Sequence, residues 1–364
     1  MPVSRLLSTF LAVFGACSSP SAARAEGSPS QGELVATVRV LVYNVYGRKE
    51  KDCAERYEAL AAEVLAASPP YDIVALQEHW KVPLDPWFTC DAAVMTRALE
   101  ADGRYAGKGR SIRHLPSSGG AFEVAGGNSV FTRHRIVASH EDSFDNGRRI
   151  PLSGFALARV ELSAGVELDL WDVHLEAASD GCDQPCRKKQ AADVAAAVER
   201  FSGSPGEERS GNPVLVVGDF NVGGPLSVSE KPPYAGNAGY DDVLVALRRP
   251  RDLWLEGGSG DGFTYDCANN PTQTCKGRER IDYMFLPEDP ALLAPTAPLV
   301  LVPKTASVVR WKTPKGRDVS DHYGLDATLE LRRLPSPPGP GFAQAFSAVA
   351  ARLEGLSRAR IFRE

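Results

Sequence analysis

Six polar groups stand at the ends of apolar runs in this sequence. Asn44 follows the run 38–43, and Glu78 closes Ala75-Leu76-Gln77-Glu78. His174 lies in Trp171-Asp172-Val173-His174-Leu175, and Asp219 and Asn221 share Gly218-Asp219-Phe220-Asn221. Asp282 belongs to Arg280-Ile281-Asp282-Tyr283, and Asp321 and His322 to Ser320-Asp321-His322-Tyr323-Gly324. A single Asp or Asn after a strand is usually a turn or cap residue, but a series of six needs another explanation. Their types converge on one reaction. Asn44, Glu78 and Asp321 are hard oxygen donors of the kind that hold Mg²⁺ while it keeps several waters. His174 and His322 can move protons near neutral pH. Asp219 and Asn221 can orient a water and hold a phosphoryl oxygen, and Asp282 can fix the tautomer of His322. A metal, two imidazoles and phosphate-holding amides suit in-line hydrolysis of a phosphodiester.

Such residues need a rigid sheet to place them on loops. Between residues 35 and 333, short β-rich runs alternate with helical patterns. Strands are expected at 38–43, 72–76, 155–162, 166–173, 213–217, 281–286 and 323–331, with Ser163-Ala164-Gly165 as a turn. Helices are expected at 52–67 and 187–201. No internal repeat interrupts the series, and the polar motifs come from its whole length, so one large α/β domain is expected over 35–333.

The chain has 364 residues, 43% of them hydrophobic and 24% charged, ordinary globular values that exclude wholesale disorder. A net charge of −5 argues against binding nucleic acid by positive charge alone. Residues 1–25 carry Arg5 and Arg24, no acid, the apolar run Leu11-Ala12-Val13-Phe14 and the small-residue ending Ala23-Arg24-Ala25. That is the pattern of a secretory signal peptide, followed by a short linker over 26–34. The expected location is outside the cell or in the periplasm. Gly15-Ala16-Cys17 is a poorer match to a lipoprotein site, so a lipid anchor on Cys17 is the lesser alternative. Cys53, Cys90, Cys182, Cys186, Cys267 and Cys275 remain, an even number that in an exported chain reads as disulfides. Pairing Cys182 with Cys186, Cys267 with Cys275 and Cys53 with Cys90 is one of the 15 connectivities that six cysteines allow. A Pro-rich linker at 334–340 ends the domain. Beyond it Phe342, Phe346, Val349, Leu353 and Leu356 recur at helical steps, an amphipathic helix over 341–364 expected to pack back on the domain.

The series Asn44, Gln77-Glu78, Val173-His174-Leu175, Gly218-Asp219-Phe220-Asn221, Arg280-Ile281-Asp282-Tyr283 and Ser320-Asp321-His322-Tyr323 resembles the endonuclease/exonuclease/phosphatase superfamily, with motifs spread from 44 to 324. The resemblance implies a four-layer α/β sandwich, two packed mixed β-sheets flanked by helices in a deoxyribonuclease-like fold, with the site at one edge of the sheets. It implies Glu78 as principal ligand of Mg²⁺ (or of Mn²⁺ or Co²⁺), Asn44 as its helper and Asp321 beside the metal. His322 would be the general base, oriented by Asp282. His174 would stabilise the pentacoordinate phosphorus or protonate the leaving oxygen, and Asp219 and Asn221 would position water and phosphate. His114, His134 and His140 are expected at the surface, and His79 has no role in this scheme.

Within the superfamily the chain is most similar to secreted bacterial neutral sphingomyelinases of the phospholipase C type. Tyr43-Asn44-Val45-Tyr46, the passage from Asn146-Gly147 through Gly154-Phe155-Ala156-Leu157 to His174-Leu175-Glu176-Ala177, and Arg187-x-x-Gln190 carry that likeness. It implies cleavage of sphingomyelin to ceramide and phosphocholine at a membrane surface; a monomer without an obligate protein partner is the default expected of an exported, disulfide-bonded chain. The chain departs from that pattern twice. The stretch 300–318 has a lone Trp311 among Arg310, Lys312 and Lys315 where those enzymes carry an aromatic hairpin, and Gly126-Gly127-Asn128-Ser129-Val130 replaces a plain apolar strand. A secreted deoxyribonuclease is the alternative, with Arg104, Lys108, Arg110 and Arg113 as a basic loop for phosphates. A phosphoinositide phosphatase is a third enzyme reading. A non-catalytic binding module would be expected to have lost ligands, yet every aligned position holds a competent residue.

Overall fold

The computed structural model describes residues 32–48, 52–80, 90–106, 111–113, 127–144, 153–203, 210–236, 238–271, 277–288 and 299–334. The expected signal peptide, the Pro-rich stretch from 335 and the expected C-terminal helix lie outside the described residues, as do His114, Lys108 and Arg110.

The chain runs β1 (Glu33–Asn44), α1 (Cys53–Ala66), β2 (Ile73–Gln77), α2 (Ala93–Ala101), β3 (Ser111–Arg113), β4 (Ser129–Thr132) and β5 (Arg135–Ser143). It continues through β6 (Gly154–Ser163), β7 (Val166–His174), α3 (Gln184–Ser202), β8 (Val214–Asp219), α4 (Tyr240–Ala246), β9 (Arg251–Asp252) and α5 (Leu253–Gly257). The last elements are β10 (Gly258–Ser259), β11 (Tyr265–Asp266), β12 (Arg278–Glu279), β13 (Asp282–Leu286), β14 (Leu299–Val309) and β15 (Gly324–Arg333). One sheet has the order β10-β14-β15-β1-β2-β4-β3, the other β5-β6-β7-β8-β13-β9. Both are mixed: β1 pairs parallel with β2 and antiparallel with β15, and β7 pairs parallel with β8 inside an otherwise antiparallel set.

Side-chain alternation explains the layering. Val38, Val40 and Val42 of β1, Ile73 and Ala75 of β2, Leu168 and Leu170 of β7, and Leu215 and Val217 of β8 point into one core between the sheets. Their odd-numbered or even-numbered neighbours point outward. Leu41, Tyr43, Val74 and Leu76 meet Tyr57, Leu60 and Val64 of α1 and Met95 and Leu99 of α2. Trp171, Val173, Val214 and Val216 meet Ala191, Val194 and Val198 of α3. The result is helices, sheet, sheet, helices, the four-layer sandwich the resemblance implied.

Two differences from the expected elements have physical causes. β1 begins at Glu33, inside the stretch read as linker, because β15 is long enough to pair with it as far as Glu33↔Arg333. β14 was not expected as a strand. Its alternation is broken by a shifted register at Pro303/Thr305, and it is half-exposed along most of its length. The pre-strand glycines do lead into a strand: β4 is buried at all four residues and pairs with β2.

Two disulfides join described cysteines, Cys53–Cys90 and Cys182–Cys186, and Cys267 is disulfide-bonded as well; Cys275 lies outside the described residues. No helix among the described residues is long and apolar enough to cross a membrane.

Candidate active site

The same alternation that builds the inter-sheet core builds the site. One step beyond Val42 on the inward face is Asn44; beyond Ala75 is Gln77; beyond Leu170 are Asp172 and His174; beyond Val217 is Asp219. Register places His174 opposite Asp219 and Asp219 opposite Asp282. The inward faces of five strands thus turn from apolar to polar at one edge of the sandwich. Asn44, His174, Asp219, Asn221, Asp282 and His322 are all buried there, while Glu78 and Asp321 keep partial solvent access.

Glu78 and Asn44 are neighbours. The Asn44 Nδ2 donates to Glu78 Oε1 at 3.2 Å and to Asp219 Oδ2 at 2.9 Å, and the Gly47 amide donates to Glu78 Oε2 at 3.2 Å. Glu78 has a φ of 56° and Asn221 of 50°, left-handed conformations uncommon for a side-chain-bearing residue and, for Glu, a cost that surrounding structure must offset. Gly47 lies so close beneath Glu78 that a Cβ would sit 2.0 Å from the Glu78 carbonyl oxygen. Ser320 ties the other side of the site to this one, its Oγ donating to the Asn44 carbonyl at 2.6 Å and accepting from the His322 amide at 3.1 Å.

The two histidines differ in support. His322 Nδ1 donates to Asp282 Oδ2 at 2.9 Å, which leaves Nε2 facing Asp219 Oδ2 at 3.8 Å. His174 Nε2 lies at the same 3.8 Å from that oxygen, but its buried Nδ1 has no hydrogen-bond partner among the described residues. Burial alone would lower the His322 imidazole; the Asp282 and Asp219 carboxylates outweigh it and hold it well above its ordinary value. Burial pushes the Asp219 carboxyl up to about 6, against the pull of His322. Asp321 goes up to about 7, through burial first and then through Glu78 and Asp219, with His322 opposing.

The loops are knitted together. Asn221 donates from Nδ2 to the Leu175 carbonyl at 2.8 Å and from its amide to Asp219 Oδ1 at 2.8 Å. Gln190, reached through α3 and its Asp183 cap, accepts from the Glu176 amide at 3.0 Å, so the Arg187-x-x-Gln190 pattern pins the loop after His174. Tyr265 is a contributor that the sequence reading missed. Its ring meets His322 edge-on at 5.1 Å, and no signal beyond an aromatic in a loop marked it. Below the site Gln77 Nε2 donates to Asp172 Oδ1 at 2.5 Å, and burial lifts the Asp172 carboxyl to about 8.

The remaining histidines correct the expectation of surface positions. His134 is half-buried and bonds Asp72 at 2.8 Å, and His140 stacks on Phe201 at 4.1 Å. His79 is buried between Ser129 Oγ at 2.9 Å and the Ala92 carbonyl at 3.0 Å, which makes it a structural residue behind Glu78. Trp311 does not project. It is half-buried and stacks on Tyr43 at 5.6 Å, while Arg310 pairs with Asp261, Lys312 with Asp318 and Lys315 with Glu55. Arg104 pairs with Asp102 and reaches the Leu65 carbonyl, and its neighbour Tyr105 bonds the Tyr71 carbonyl, before β2 and at the opposite end of that strand from Glu78. The Arg113 backbone lies at the site end of the sheet, by its pairing with Ser129.

A metal fits the donors present. Glu78 and Asp321 supply carboxylate oxygens, while Asn44 turns its Nδ2 to Glu78 and its Oδ1 to the Tyr46 amide at 3.0 Å, so it would present oxygen to a cation only with its amide turned. Burial first, and then the nearby Glu78 and Asp219 carboxylates, raise the Asp321 carboxyl, and a divalent cation would relieve that crowding. A second compact group, Asp219, Asp282 and His322, has its ligand atoms within 4.8 Å of one another, but His322 Nδ1 and Asp282 are already committed to each other. Glu176 with Cys182 and Cys186 is not a ligand set, since both sulfurs are in a disulfide.

Fold and site together define an α/β-sandwich hydrolase with a paired-imidazole, carboxylate-rich centre. The chain belongs to the Endonuclease/Exonuclease/phosphatase family, whose model matches residues 41–322. Among solved structures it is similar to a sphingomyelinase C from Streptomyces griseocarneus, at 18% identity and TM-score 0.56, covering 81% of this chain and 99% of that one. It is also similar to D. rerio TDP2 complexed with single-strand DNA product, at 20% identity and TM-score 0.54 over 81% and 99%. The beta toxin of Staphylococcus aureus gives 17% identity and TM-score 0.55 over 80% and 99%. No curated protein matches the sequence.

Proposed function

We propose that this protein is an exported, Mg²⁺-dependent phosphodiesterase that cleaves the head-group phosphodiester of a phospholipid, sphingomyelin to ceramide and phosphocholine. The observation that carries the hydrolytic reading is the His322–Asp282 pair, whose Nε2 is aimed at the cluster of Asp219, Asn44 and Glu78. Glu78, Asn44 and Asp321 would hold the cation, which when bound polarises the phosphoryl oxygen and neutralises developing charge. His322 Nε2 takes the proton of the attacking water, and Asp282 keeps the imidazole in the tautomer that can accept it. Asp219, between both imidazoles, orients that water; Asn221 is held beside it to position the phosphate. His174 protonates the leaving oxygen or steadies the charge on phosphorus.

Two features favour a lipid over a nucleic acid. The net charge is negative, and two cations near the site are engaged: Arg278 with Asp261 and Asp266, and Arg310 with Asp261. The similarity to the sphingomyelinase C and the beta toxin supports the same choice. A secreted deoxyribonuclease is the second reading, favoured by Arg48, which is 61% exposed at the end of the Asn44 loop, 4.0 Å from Asp180. The paired disulfides and the leader-like first 25 residues support export. Sphingomyelin vesicles and plasmid DNA offered side by side with Mg²⁺ test this reading. Phosphocholine release without nicking is the expected result; nicking without release would replace it by the nuclease.

A further inference from the structure

Arg56 sits in the first turns of α1 with no exposed side-chain surface. A guanidinium is expensive to bury, and it is ordinarily repaid by a carboxylate in close contact. Here its nearest carboxylate among the described residues, Asp52, is 3.8 Å from Nε, too far for a hydrogen bond. The four groups that Arg56 does bond are three backbone carbonyls and a sulfur. Nη1 donates to the Val45 carbonyl at 3.3 Å and the Val319 carbonyl at 3.0 Å; Nη2 donates to the Tyr46 carbonyl at 3.1 Å and to Cys90 Sγ at 3.2 Å.

Those acceptors are not scattered. Val45 and Tyr46 follow Asn44 directly, and Val319 directly precedes Ser320-Asp321-His322. Cys90, disulfide-bonded to Cys53 at the start of α1, donates its amide to the Gly47 carbonyl at 2.7 Å, and the Gly47 amide in turn holds Glu78 Oε2. One buried cation therefore contacts the chain next to Asn44, two residues before Asp321, and at Cys90, two hydrogen bonds away from Glu78. The planar guanidinium fork suits this, because its donors diverge in a fixed geometry that a lysine ammonium cannot copy.

We propose that Arg56, with the Cys53–Cys90 disulfide behind it, is the positioning residue that sets the spacing of the metal ligands Asn44, Glu78 and Asp321. This rests on the reading that those three residues hold a divalent cation. Arg56 touches neither metal nor substrate; it acts through the backbone of the two loops that carry the ligands. Residues that orient ligands from behind are commonly worth about 10–100-fold in metal affinity.

The test is the Mg²⁺ concentration that gives half of the maximal thermal stabilisation of the full chain. Arg56→Lys keeps the charge and loses the fork. Arg159→Lys is the control, since Arg159 is similarly engaged, by Asp169 at 2.8 Å and the Phe201 carbonyl at 2.9 Å, but lies away from the site. The expected result is about a 10-fold weaker Mg²⁺ response in Arg56→Lys and an unchanged one in Arg159→Lys, even where both lower the metal-free midpoint. Replacing Cys53 and Cys90 together by Ser should weaken the Mg²⁺ response in the same direction, whereas replacing Cys182 and Cys186 should not. A lowered midpoint with unchanged Mg²⁺ response in both site-side variants would make Arg56 a purely structural residue and overturn the proposal. No Mg²⁺ response in the unaltered protein would instead overturn the metal reading on which it rests.

Discussion

Asp282→Asn removes one buried charge while leaving the shape of the side chain. Asp282 is 1% exposed and His322 is 4% exposed, and the 2.9 Å bond between them is the one fixed contact of the imidazole Nδ1. In the reaction His322 becomes a buried imidazolium, and Asp282 is the group placed to balance it. Leaving such a charge without its partner costs about 3–5 kcal/mol. At about 1.4 kcal/mol per factor of ten, that is a loss of roughly 10²–10⁴ in kcat, in line with the contribution of a positioned general base. The pH profile carries the second half of the prediction. His322 works as a base only when neutral, and the carboxylates hold its pKa well above the ordinary value. Activity should therefore fall as pH drops through that raised value, and in Asp282→Asn the fall should move to lower pH. Initial rates at saturating Mg²⁺ across a pH series that covers the ordinary range of His titration, roughly pH 5–8, and extends above it provide the assay. An Asn variant that keeps most of its kcat, or whose acid limb does not move downward, would refute the assignment of His322 and Asp282 as base and orienting group.

Other perturbations separate the site from its scaffold. Asp172, lifted to about 8, is favoured as the neutral acid in the folded chain, while its unfolded value is about 3.9. The folded state thus binds the extra proton, stability falls as pH rises from about 4 through 8, and Asp172→Asn should flatten that fall when thermal midpoints at both ends of the window are compared. Arg280→Met strips a fully buried guanidinium from Asp252, bonded at 2.8 and 3.1 Å; a loss of about 3–5 kcal/mol in urea unfolding is expected, and a loss below about 1 kcal/mol would show the pair to be idle. Trp311→Ala should lower stability by about 1–3 kcal/mol through the lost stack on Tyr43. Co-sedimentation of this variant with sphingomyelin vesicles should be unchanged; a lost association would show that Trp311 reaches the lipid.

Much of the site was readable because strand alternation is strict. Once apolar runs such as 38–43 and 213–217 are taken as strands buried on both faces, the polar residue that follows each must emerge at a sheet edge, and parallel pairing of β1 with β2 and β7 with β8 brings those edges together. What escaped were features that depend on pairing between distant segments. β14 has no clean alternation and forms because β15 offers it a partner. Tyr265 reaches His322 through an isolated bridge between the two-residue strand β11 and the loop before β15. Arg56 reads as one more charge on an amphipathic helix until Val319, 263 residues away in sequence, is seen to accept its hydrogen bond. The basic loop misled for the same reason: sequence neighbours Arg104 and Arg113 are carried to opposite ends of a sheet.

The most direct test of a metal-assisted, His322-dependent centre is hydrolysis of a simple soluble phosphodiester, bis(4-nitrophenyl) phosphate, by the purified chain. The chain is first stripped with a chelator and then given Mg²⁺, beside His322→Ala. No turnover after stripping, recovery with Mg²⁺ in the unaltered chain and none in His322→Ala is the expected result. Turnover that survives the chelator, or that Mg²⁺ restores equally in both proteins, would contradict it.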